Sequence, residues 1–190
     1  LAQDYQRLQV RFADWPPIRI TGTAGLPPEV YRVTYALRGL YVDPTGQILA
    51  REEHVLEINL SLGYPKRAPQ CRMITPIFHP NFDDVTVCTG DFWAASEQLD
   101  DLIIRIGRMI AYQEYNTKSP LNGLAARWAA EHPQFVPVDP REIAPPLIER
   151  ADMEAHAAVQ VAPAPVAEPA PVPAELPSSD PWSAPIVVSE

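Results

Sequence analysis

The sequence predicts an α+β domain in which a leading helix, a four-stranded antiparallel meander sheet, a long central helix and a short last helix follow in that order. Three observations carry this. Apolar residues recur at helical spacing at the start of the chain, then alternate with polar ones over several short runs separated by turn signals. After Asn81 the period returns to that of a helix.

The first helix is read from Leu1, Tyr5, Leu8, Phe12 and Trp15, which share one face. Pro16-Pro17 should end it, because proline lacks an amide hydrogen and clashes with the preceding turn. An extended piece over residues 18–23 follows. Next, Tyr31, Val33, Tyr35 and Leu37 alternate with Arg32, Thr34 and Arg38. Asp43-Pro44-Thr45-Gly46 is a turn with proline pre-set at its second position. A second alternation places Leu56, Ile58, Leu60 and Leu62 inside, with Glu57, Asn59 and Ser61 outside, and residues 71–74 read as one more strand. Leu99, Leu102, Ile103, Ile106 and Ile110 then form a helix stripe. Ser96 is its expected cap, and Glu97, Asp100 and Asp101 lie near the positive end of its dipole. Asn122 is the expected cap of a last helix with Leu124, Ala125 and Trp128, closed by Pro133.

Composition divides the chain. Of 23 prolines, 12 fall in residues 137–190, and residues 139–190 carry 9 acidic and 2 basic residues of the whole chain's 24 and 15. The expected organisation is therefore a folded domain over residues 1–136 and a Pro/Ala-rich acidic tail over 137–190, largely disordered, with at most a short helix within residues 139–153. The folded part is nearly neutral and lacks the basic footprint that phosphate neutralisation requires, so nucleic acid is not expected as a partner. Two cysteines, Cys71 and Cys88, are too few for a disulfide framework, which points to a reducing, cytoplasmic setting. No apolar run approaches the roughly 20 residues of a membrane span, so no membrane association is expected. Asp4, Gln6, Arg7 and Gln9 interrupt any signal-peptide core. The opening Leu1, in place of Met, suggests that residues once preceded it.

The chemistry-bearing stretch lies between sheet and long helix. Tyr64-Pro65, Pro69, Ile77-Phe78-His79-Pro80-Asn81, Val87-Cys88 and Trp93 form an ordered series, followed by Ser119-Pro120-Leu121-Asn122. Over roughly residues 1–133 this series resembles the ubiquitin-conjugating enzyme family: its Tyr-Pro-x-x-x-Pro segment, its His-Pro-Asn tripeptide and the catalytic cysteine shortly after. The resemblance implies the ubiquitin-conjugating-enzyme fold. It also implies a transferase that accepts a ubiquitin-like protein from an activating enzyme as a thioester on Cys88 and passes it to a target lysine, with or without a ligase. No cofactor and no metal are implied. In the family the tripeptide asparagine is assigned either oxyanion stabilisation or bracing of the active-site loop, and Asn81 inherits both. His79 and Pro80 are read as structural members of that loop. Ser119 occupies a position that is often acidic in the family, where the carboxylate orients or deprotonates the incoming lysine.

Physical chemistry agrees with these roles. A thiolate attacks acyl groups well, and the thioester it forms is readily displaced by an amine. Exchange between thiols is roughly isoenergetic, so a modest nucleophile suffices, although Asp83, Asp84 and Asp91 surround this one in sequence. A side-chain amide over the developing oxyanion contributes on the order of 10²–10³ in rate. Cys71 reads as an inert packing cysteine, Trp93 as core or the edge of a partner surface, and Tyr112 and Tyr115 as packing residues.

Several departures from the family pattern carry expectations of their own. The interval from Asn81 to Cys88 is shortened, so the active-site loop should take another path. Lys66 stands at an apolar ligase-contacting position and Trp93-Ala94-Ala95-Ser96 replaces the usual loop, so a standard RING ligase is not expected to dock. The tail replaces a final helix. With lysine limited to Lys66 and Lys118, these features are similar to divergent bacterial members found in antiviral operons. Two other readings remain: a non-catalytic ubiquitin-conjugating-like binding module, and a cysteine hydrolase, for which, of His54, His79, His132 and His156, His79 alone is a candidate base.

Overall fold

The computed structural model describes residues 1–84, 86–89 and 93–146. Helix α1 (Ala2–Arg11) leads, followed by strands β1 (Ile18–Gly25), β2 (Pro28–Tyr35), β3 (Gly39–Val42), β4 (Ile48–Arg51), β5 (His54–Asn59) and β6 (Gln70–Met73). Helices α2 (Leu99–Ile110) and α3 (Gly123–Glu131) come last, with one 3₁₀ turn at Pro133–Phe135. A four-stranded antiparallel sheet in the order β1-β2-β5-β6 corresponds to the four strands expected. No helix among the described residues is long and apolar enough to cross a membrane.

Cross-strand register explains the core. Val33 lies opposite Leu56, and Tyr31 opposite Ile58, which in turn faces Cys71. Tyr31, Val33, Tyr35 and Leu37 are fully buried, as alternation predicts, because one sheet face meets α2. The whole α2 stripe is buried as well. Tyr35 donates its hydroxyl to the Ile103 carbonyl (3.0 Å). Gly107 is required where α2 crosses the sheet: an added Cβ would stand 2.8 Å from Ile143 and 3.2 Å from the Tyr35 ring. Helix α1 is fastened to α2 by the part-buried Arg11–Asp100 ion pair, which Asp101 extends.

Several expectations need correction. The first helix ends at Arg11, before the prolines, so Trp15 lies in the following turn; its ring still packs on the core, and its indole N–H donates to the Ile143 carbonyl (2.9 Å). Leu62 is fully exposed, because β5 stops at Asn59 and the chain turns away through a Tyr64 amide to Ser61 carbonyl bond (2.8 Å). Ser96 does not cap α2. Gln98 holds the cap position with no side-chain bond, since the chain makes its turn at Glu97–Ala94 just ahead of it. Asn122 does cap α3, its Oδ1 accepting from the Ala125 amide (3.0 Å).

Between β2 and β5 the chain inserts a separate β3–β4 hairpin. The Asp43 turn closes it: one carboxylate oxygen accepts from the Thr45 and Gln47 amides (both 2.9 Å), and Gly46 takes a φ of 85°. Leu40 on this hairpin joins Phe78, Tyr112 and Ala125 in a second small core that backs the functional loop.

The expected boundary at 136/137 falls inside packed chain. The Asp139 amide donates to the Ala111 carbonyl (3.0 Å), the Arg141 guanidinium reaches the Ala36 carbonyl (3.0 Å), and Ile143 is fully buried. Residues 137–146 thus form a strap across the C-terminal end of α2. No helix forms within residues 139–146, and the rest of the expected tail helix and tail lies outside the described residues.

Candidate active site

The site is assembled around the Phe78-His79-Pro80-Asn81 loop. Phe78 is pinned from both sides: its amide donates to Leu40 (2.7 Å) and its carbonyl accepts from the Tyr112 hydroxyl (2.6 Å). His79 is fully buried, its ring edge-on to Tyr112 (4.5 Å between centroids) and Phe82 (4.9 Å). Nδ1 accepts from the Asn81 amide (3.0 Å). Burial drives the imidazole down to a pKa of about 3, so the ring is neutral and holds the loop. The Pro80 carbonyl accepts from the Asn122 amide (3.1 Å), tying the loop to the start of α3.

Asn81 connects the two walls of the site. Its backbone carbonyl accepts from the Cys88 amide (2.8 Å), and its Oδ1 accepts from the Asn116 amide (2.9 Å). With the oxygen so engaged, the amide nitrogen is the end of the side chain left to donate elsewhere. The shortened interval to Cys88 is accommodated by a tight reversal. Phe82 bridges Val87 antiparallel, the Asp83 amide donates to the Thr86 carbonyl (3.1 Å), and the Thr86 amide donates to the Asp83 carboxylate (2.7 Å). Buried Phe82 and Val87 anchor both arms. The path brings Cys88 back beside Asn81 despite the missing length.

Cys88 is half-buried and lines a cleft of about 540 Å³. Asn81 and Ser119 line the same cleft, so three of the sequence-predicted site positions meet there, while His79 and Pro80 lie behind it. Ser119 is exposed and offers a hydroxyl only; its amide donates to Asn116 Oδ1 (3.3 Å). Asn116 emerges as the organiser of this wall, since the same Oδ1 also accepts from the Lys118 amide (2.8 Å) while its own amide holds Asn81. Sequence reasoning missed Asn116, Glu114 and Arg105, all of which line the cleft. For Asn116 a signal existed: an asparagine two residues before Lys118 in a Ser-Pro segment is a turn former.

The other candidates fall outside the cleft. Cys71 is buried on β6, its thiol pushed up to about 12 by burial. Trp93 is half-buried against Tyr64, its indole donating to the Pro65 carbonyl (2.7 Å). Tyr112 packs in the second core. No histidine lines the cleft among the described residues; His54 is buried elsewhere and His132 stacks on Trp128.

The family model described as "Ubiquitin-conjugating enzyme" matches residues 28–137. Among solved structures, the chain is similar to a ubiquitin conjugating enzyme from Trypanosoma cruzi. The likeness has 17% identity and a TM-score of 0.49, and it covers 68% of this chain and 85% of that one.

Proposed function

The chain belongs to the ubiquitin-conjugating enzyme family, and from that premise we propose that it is an acyl carrier. It accepts a ubiquitin-like protein from an activating enzyme as a thioester on Cys88 and transfers it to a lysine amine of a target. One observation carries the reading: the half-buried Cys88 thiol opens on a cleft whose facing wall, residues 114–121, leaves room for an incoming nucleophile. In the loading step the Cys88 sulfur attacks the carrier's thioester carbonyl and the activating enzyme's thiol departs. In the transfer step the amine nitrogen attacks the new thioester, and the electron pair of the broken C–S bond returns to Cys88. Charge builds on the carbonyl oxygen between these events, and the Asn81 amide nitrogen is the donor assigned to it.

A carrier needs no paired base on its thiol, and the absence of an imidazole among the described cleft residues favours it over a hydrolase. Both cysteines are free thiols, which suits a reducing, cytoplasmic setting. The test is to incubate the chain with a candidate activating enzyme, a ubiquitin-like protein and ATP, and to look for an adduct sensitive to reducing agent. Cys88→Ala is expected to abolish that adduct. Its persistence in the variant, or no adduct with any candidate carrier, would refute the reading.

A further inference from the structure

At neutral pH a lysine side chain arrives as an ammonium and can attack only after losing a proton. The cleft therefore needs an anionic group that receives the amine beside the thioester. Ser119 cannot serve, and the Asn81 side chain is neutral. Among the described residues that line the cleft with Cys88, Glu114 is the one carboxylate.

Its placement is built by the fold. Tyr112 adopts a φ of 54°, which reverses the chain directly after α2. The amides of Gln113 and Glu114 both donate to the Arg108 carbonyl (2.9 and 3.3 Å) and fix the reversal. Gln113 is drawn to the strap, its side-chain amide donating to the Asp139 and Arg141 carbonyls (2.7 and 2.8 Å), while Glu114 lines the cleft. Arg108 Nη1 stands 3.4 Å from Glu114 Oε1 and holds the carboxylate in place. Both side chains are well exposed, and exposed ion pairs are weak, so an incoming ammonium can compete for the carboxylate.

Resting on the transferase reading above, we propose that Glu114 is a catalytic residue for the transfer step, receiving the primary amine of the acceptor at the lip of the Cys88 cleft. The ammonium docks on the carboxylate and gives up one proton to water through it. The freed lone pair attacks the thioester carbonyl carbon, forming the C–N bond. The C–S bond breaks with its electron pair going to Cys88 sulfur, and the second proton leaves nitrogen for that sulfur or for water.

The test uses the full chain loaded on Cys88 by exchange with a short peptide thioester ending in glycine, so that no activating enzyme is needed. Discharge to free lysine and to hydroxylamine is followed by intact mass, with the loaded fraction measured at time zero. Glu114→Gln is expected to slow discharge to lysine about 10- to 100-fold, and Glu114→Asp to recover part of the loss. Hydroxylamine, unprotonated at neutral pH, should discharge wild type and Glu114→Gln alike. Lysine discharge of Glu114→Gln within about twofold of wild type would overturn the proposal and leave the Cys88 reading standing. An equal loss with hydroxylamine would also overturn it, by assigning Glu114 to the shape of the cleft. Wild-type discharge to lysine no faster than that of the same peptide on glutathione would overturn the transferase reading and this proposal with it.

Discussion

Asn81 makes two kinds of contribution through the two ends of one amide. Its Oδ1 holds the Asn116 amide and so braces the opposite wall, while its nitrogen is the proposed oxyanion donor. Two substitutions separate these. Asn81→Asp keeps an acceptor for Asn116 but removes the donor; it is expected to slow amine discharge by on the order of 10²-fold. Asn81→Ala removes both and should in addition cost about 1 kcal/mol, visible in urea unfolding. Equal discharge by wild type and Asn81→Asp would reduce Asn81 to a brace. Cys88, Asn81 and Ser119 were legible in the sequence because each belongs to a short ordered motif. Glu114 was not, because its place depends on the reversal at Tyr112, a positive φ on an aromatic residue that no local pattern announces; Asn116 was legible only as a turn former.

Among the elements, α2 is the one on which the others converge: the sheet through Tyr35, α1 through Arg11, and the strap through Ile143. Sheet strands and α2 could be read from periodicity, since each buries one face against a single large partner. Leu62 overran its strand because alternation continues past the residue where backbone pairing stops. The strap was illegible for the opposite reason. Its Val-Pro-Val-Asp-Pro text reads as solvated tail, and only the Ala111, Ala36 and Trp15 contacts reveal it as part of the domain. A chain ending at Pro140 is therefore expected to lose about 2–5 kcal/mol through Ile143 alone, measured by urea unfolding. A chain ending at Pro146 keeps every strap contact described and is expected to match the full chain. Equal stability of the two truncations would show the strap to be dispensable.

For the molecule as a whole, two buried histidines set the response to acid. Burial lowers His54 to about 4 and His79 to about 3, against 6.5 for the free side chain. The unfolded chain therefore takes up protons first as pH falls through about 6.5. Stability is full above that value and declines below it until each ring protonates in the folded state near 4 and 3. Each histidine contributes a slope of about 1.4 kcal/mol per pH unit in that window. Between about pH 7.5 and 5 the melting temperature is expected to drop by on the order of 10 °C. A flat profile would mean that one or both rings gain a proton without unfolding.

The buried thiol of Cys71 gives the chain a built-in clock. Folded protein offers an alkylating reagent one accessible sulfur, at Cys88, whereas Cys71 is shut away with its proton held to about pH 12. Labelling with a maleimide is thus expected to proceed in two phases, one prompt and one paced by transient openings of the sheet. The second phase measures how often the folded chain comes apart, read from the protein's own sulfur with no added probe.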